Sequence, residues 1–169
     1  SDRTLNFDWR INNADVDTIE FIYKHQHTQA TQEILLSSGS GAETLWDLRL
    51  VPSTDGLSSS LSFRLSNHYT GSNLSNNLGK SSLSMSTDYN KMNDGKLWNV
   101  MLQRMTASIS GSGTNEYRLI TALQSDDAIP VFSAVSMSVS GGITNAYITG
   151  GDVMTGSVHG LAYYANQNW

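Results

Sequence analysis

Gly95–Arg104 reads GKLWNVMLQR and follows directly on Asn93-Asp94. Trp98, Val100 and Leu102 fall on one side of a period-two repeat, and Asn99, Met101 and Gln103 fall on the other. Such a pattern is a half-buried strand, entered through turn residues and left through a basic one. Burying a tryptophan there removes on the order of 200 Å² from water, worth several kcal/mol. The alternation therefore assigns Trp98 to the core and not to a ligand-stacking platform.

The same period recurs on both sides of this stretch. Leu5, Phe7, Trp9 and Ile11 alternate with polar residues, as do Trp46, Leu48 and Leu50, then Leu61, Phe63 and Leu65, while Ile19, Phe21 and Tyr23 alternate with Glu20, Ile22 and Lys24. Ile34–Leu36 is a short apolar run, and Leu83 and Met85 lie between serines. Downstream come Tyr117, Leu119 and Thr121, then the longest run, Val131 to Val139. Its second face (Phe132, Ala134, Ser136, Ser138) is small enough to predict packing on both sides. Tyr147–Thr149 and Leu161–Tyr164 are weaker strand candidates. Glycine clusters at Ser37–Gly41, Ser110–Gly113, Ser140–Gly142 and Thr149–Gly151 punctuate the runs. The pattern predicts about ten strands at sandwich spacing, with negligible helix. Asn67–Lys80 reads as a long polar loop expected to be mobile, and Asp126–Pro130 as a turn.

Composition narrows the partners. The 169 residues are 38% hydrophobic and only 15% charged, with a net charge of −5. A single domain with a substantial core fits that length. Ser, Thr and Asn fill the shortfall, as on exposed strand faces and turns. The negative balance and the scatter of the basic residues argue against nucleic acid and anionic membrane as partners. The chain has no cysteine, which removes disulfides and thiolate metal sites and fits the cytosol or an extracellular particle assembled there. It opens at Ser1 and halts at Trp169, which reads as a piece of a longer polypeptide spanning one domain, 1–169.

TIEFIYKH at Thr18–His25 resembles the T-I-E-F-W-(I/V)-K strand of laminin G-like, concanavalin A-type jelly rolls. QEILLSSGSG at Gln32–Gly41, WDLRL at Trp46–Leu50, DGKLWNVMLQR at Asp94–Arg104 and NEYRLITALQ at Asn115–Gln124 follow in that family's order. The resemblance covers Leu5 to about Val139. It implies an all-β, two-sheet antiparallel jelly-roll sandwich. The abundance of serine is similar to that of jelly-roll modules embedded in large virion proteins of tailed phages, and so implies a virion or extracellular setting. It further implies a non-catalytic structural or recognition role, with self-association, neighbouring structural proteins or cell-surface glycan as partners. The family closes with an L-x-(V/I)-G-G strand beside its first strand. That motif is absent here, so the first strand is expected to present a bare edge.

Few residues invite chemistry. Asp15, Asp17 and Glu20 echo the E-x-D-x-x-E signature of the jelly-roll glucanases, which would make the chain a glycoside hydrolase. Retaining hydrolysis needs two carboxylates roughly 5–5.5 Å apart, and Asp15 is a methylene shorter than the glutamate nucleophile. An aspartate turn entering a strand is the plainer reading, so no catalytic residue is assigned. His25 and His27 share a strand face, with Glu33 or His159 as conceivable third ligands, an incomplete metal set. No cofactor is expected. Calcium alone comes into view, because family members bind it through loop carboxylates such as Asp126, Asp127 or Asp152. Trp169 lies outside every apolar pattern and is free to act as a platform. With Asp152 and Tyr147 it forms the expected ligand-binding set.

Overall fold

The strand anticipated around Trp98 runs Leu97–Thr106. Asp94 launches it by accepting a hydrogen bond at Oδ1 from the Lys96 N–H, at 3.2 Å. Gly95 completes the turn at φ 81°, a conformation that disfavours any residue with a Cβ. In this computed structural model, residues 3–6, 17–24, 32–40, 43–65, 83–106, 114–124, 131–140 and 155–158 are described. They form strands β1 (Arg3–Asn6), β2 (Asp17–Lys24), β3 (Glu33–Ser40), β4 (Glu43–Pro52), β5 (Ser59–Leu65), β6 (Ser84–Ser86), β7 (Leu97–Thr106), β8 (Thr114–Leu123), β9 (Phe132–Ser140) and β10 (Thr155–Val158). No described residue is helical.

The strands make two antiparallel sheets. One is six-stranded in the order β1-β10-β3-β4-β5-β6, the other four-stranded in the order β2-β7-β8-β9. The chain is an all-β sandwich, and this strand order is compatible with a jelly roll. Trp46, Leu48 and Leu50 of β4 and Leu61, Phe63 and Leu65 of β5 share one cluster with Phe21, Tyr23, Trp98, Val100, Leu102, Tyr117 and Leu119 of the other sheet. Phe63 links the layers, its ring centroid 6.0 Å from Trp46 and 5.6 Å from Tyr117 in tilted geometries. Tilted pairs at such distances suit the ring quadrupoles. Trp98 is 2% exposed, a core residue as its alternation requires.

Several local expectations are corrected. Ser37–Ser40, read as turn punctuation, continues β3, which pairs with β4 on one side and β10 on the other. Two flanking ladders hold this small-residue segment through its main chain. A register shift between Ile34 and Leu36 turns both Leu35 and Leu36 inward and leaves Ile34 exposed. The bulge explains an apolar run that does not alternate. The outer face of β9 is uncovered, with Phe132 64% exposed and Ala134, Ser136 and Ser138 exposed beside it. Packing on both sides of that strand is thus ruled out for the described residues. Arg104, read as the polar exit from β7, is fully buried at the end of the Trp98 row, opposite Tyr117. The first strand is paired on one side and ends its sheet on the other among the described residues. β10 lies beside β1, with Arg3 opposite Val158 and Asn6 opposite Thr155. Residues 7–11, the loop 67–80, the turn 126–130 and the candidate strands 147–149 and 161–164 lie outside the described residues.

Candidate functional site

The outer face of the four-stranded sheet carries the candidate site. Register sets its rows: Glu20 opposes Met101, which opposes Ile120, which opposes Ala134. The next row is Thr18, Gln103, Arg118 and Ser136. A groove of about 330 Å³ crosses this face between β7, β8 and β9, lined by Met105, Glu116, Arg118, Ala134, Ser136 and Ser138, among others. At its rim the β7–β8 register shifts between Arg104 and Thr106, so Met105 is the extra residue of a bulge and stands exposed. Bulges recur at the rims of sites because they re-aim a side chain. Arg118 is half-buried in the groove and has no ion-pair partner among the described residues. One step beyond Ala134 on the same face of β9 stands Phe132, an exposed ring at the end of a stripe of small residues.

Such a surface combines a forked cation, hydroxyl donors and acceptors, a carboxylate and an apolar ring. These are the groups that hold a polyhydroxylated ligand: hydrogen bonds fix its oxygens and the ring packs against its C–H face.

The residues singled out in the sequence are scattered by comparison. Glu20 is exposed on the outer face of β2. The β2–β7 register runs from Asp17↔Arg104 to Lys24↔Leu97 without a shift. Alternation along an unbulged strand then puts positions 17 and 20 on opposite faces of the sheet. Glu33 begins β3 in the other sheet. Asp15, His25, His27, Asp126, Asp127, Tyr147, Asp152, His159 and Trp169 lie outside the described residues. Among the described residues no three of His, Cys, Asp and Glu gather as a metal site. Sequence reasoning missed Met105, Arg118, Ser136 and Phe132 as a group. Arg118, Ser136 and Phe132 were each visible as an outward member of an alternating run, whereas Met105 lies past the run that ends at Arg104, and only the register brings three strands' outward residues to one groove.

A second polar cluster lies on the outer face of the six-stranded sheet. Arg64 Nε donates to Asp47 Oδ1 at 2.8 Å, and its Nη2 pairs with Oδ2. Asp47 is 1% exposed, although it sits on the face opposite Trp46. Nearby, Arg49 donates to Gln32. Burial and then the neighbouring Arg64 charge pull the Arg49 pKa down, while Asp47 opposes them. The Asp47–Arg64 pair is closed on itself, and Arg49 Nε is left buried without a hydrogen-bond partner. The chain matches no protein-family profile and none of the curated proteins.

Proposed function

We propose that this protein is a non-catalytic recognition and structural module of the laminin G-like, concanavalin A-like kind, set within a larger extracellular or virion assembly such as a phage particle. In this reading it holds glycan on the outer face of its four-stranded sheet. The observation that carries the reading is Arg118, half-buried and unpaired among the described residues in a groove bordered by Ser136 and Ser138. A guanidinium left without a carboxylate is matched by a ligand that brings one, bound through two parallel hydrogen bonds. A sugar with a carboxylate supplies that group together with hydroxyls for the serines, and Phe132 offers its C–H face a ring. We set hydrolysis by Asp15, Asp17 and Glu20 aside because Asp15 is a methylene shorter than the glutamate nucleophile of the glucanase signature.

Calorimetric titration with a uronic-acid oligosaccharide and with its neutral counterpart tests the reading. Binding of the acidic sugar is expected to weaken at least tenfold in Arg118→Gln and in Phe132→Ala, with folding unchanged in both. Absence of binding to either sugar, or binding indifferent to both substitutions, overturns it.

A further inference from the structure

Four strands end the two sheets, and three of them are blunted. β1 is four residues long and β6 three. β2 carries Asp17, Glu20 and Lys24 along its length. The fourth is different. β9 reads FSAVSMSVS over nine residues, with no charge, no proline and no glycine. Shortness and charge are what keep sheet edges from recruiting another strand, and a long neutral edge is a template for one.

The main chain of β9 is set to accept a partner. The Leu123 N–H donates to the Val131 carbonyl at 2.9 Å, one step beyond the Ala122↔Phe132 pair. Hydrogen-bonded pairs alternate along an antiparallel ladder. Ser133, Val135, Met137 and Val139 therefore turn their main-chain groups toward β8. Phe132, Ala134, Ser136 and Ser138 turn theirs to the margin, where no described strand pairs with them. Arg118 and Glu116 lie opposite Ser136 and Ser138 on the β8 side of the strand, away from the margin, and the inner face of β9 is touched by Asp88. Its N–H meets the Ser133 hydroxyl at 3.1 Å, through a side chain buried on the inner face and not along the margin.

We propose that β9 is a dimerisation edge, pairing antiparallel with β9 of a second copy across a twofold axis at Ser136. The segment is its own complement. About that axis Ala134 meets Ser138 of the second copy and Phe132 meets Ser140, so residues with free main-chain groups oppose one another. Val135 faces Met137 of the second copy on the inner side, which keeps apolar beside apolar. On the outer side Ala134, Ser136 and Ser138 are small, so neither bulk nor like charge separates the copies. The two four-stranded sheets become one sheet of eight strands. This pairing goes beyond the glycan reading and does not depend on it. It sets the two grooves side by side, because the same three small residues line both groove and axis.

Sedimentation of the full chain, with amide exchange, is the test. We expect a doubling of sedimenting mass with rising concentration, together with slowed exchange at Ala134, Ser136 and Ser138. Ser133 and Val135 are expected to stay protected at every concentration. Ser136→Lys places two like charges at the axis and is expected to abolish the dimer. Ser136→Glu alone does the same, and an equimolar mixture of the two variants restores it. A wild-type chain that stays monomeric, or a dimer that survives Ser136→Lys, overturns the proposal whatever the sugar titrations show.

Discussion

The indole N–H of Trp98 and the hydroxyl of Thr121 are both buried without a hydrogen-bond partner in the structure, on adjacent strands of the same sheet. They call for opposite substitutions. Trp98→Ala removes a large ring from a packed cluster and is expected to cost about 3–5 kcal/mol in chemical denaturation. Trp98→Phe keeps most of the ring and discards an unpaired donor, so its cost should stay below about 1.5 kcal/mol. Thr121→Val replaces a stranded hydroxyl by a methyl of similar shape. A gain of about 1 kcal/mol is expected, and a loss would reveal that the hydroxyl is satisfied in solution. The burial of Trp98 was legible because its row continues in Val100 and Leu102. The burial of Arg104 at the end of that row was not, since arginine is rarely found inside. Alternation carried the correct answer there, and residue type contradicted it.

The middles of strands with strict alternation were legible, β7 and β8 most clearly, while the bulge that carries β7 on to Thr106 was not. β10 was not, because Thr155-Gly156-Ser157-Val158 has no apolar stripe and is placed by the ladders on either side of it. The candidate groove was illegible for a related reason: it depends on register between strands, which no single run encodes. Pairing across strands also creates the cluster of Asp47, Arg64 and Arg49. Asp47 lies directly opposite Arg64, and removing its charge leaves two guanidiniums facing each other. Asp47→Asn is expected to cost about 2–3 kcal/mol, at the low end for a broken buried pair because Arg64 is partly solvated. The double replacement Asp47→Leu with Arg64→Met should recover most of that loss in the same denaturation assay. The turn between β4 and β5 offers a pH test. The Asp55 carboxylate accepts hydrogen bonds from the Ser53 hydroxyl and from the Leu57 N–H at 3.0 Å, and these hold its pKa below the ordinary carboxylate range. A lowered carboxylate stabilises the turn fully above its unfolded pKa, and that contribution fades as pH falls through the folded value. The Asp55 carboxyl resonance should therefore titrate below the range of free aspartate and move up in Ser53→Ala. An unchanged midpoint in that variant would remove the hydroxyl as the cause.

At the scale of the molecule, the six-stranded sheet joins the two ends of the sequence. β10 enters between β1 and β3, so one side of the first strand is paired from within the chain while the strand still ends the described sheet. The described apolar cluster runs from Phe21 to Val139. The described contribution of β10 is main-chain pairing along β1 and along Leu36–Gly39 of β3. Shortening the chain to end at Ser140 should leave the aromatic core packed and the near-ultraviolet circular dichroism native-like. It should also bare the β3 margin at a segment without charge, Ile34–Ser40, next to buried Leu35 and Leu36. Such an edge recruits other chains. The shortened protein is expected to form large species by light scattering, and the effect is best read in a Ser136→Lys background, where β9 cannot contribute. Large species there would place the liability on β3. A shortened Ser136→Lys chain that remains monomeric with native-like dichroism would show that β10 is dispensable for guarding this edge, and that the six-stranded sheet is protected by something other than its closing strand.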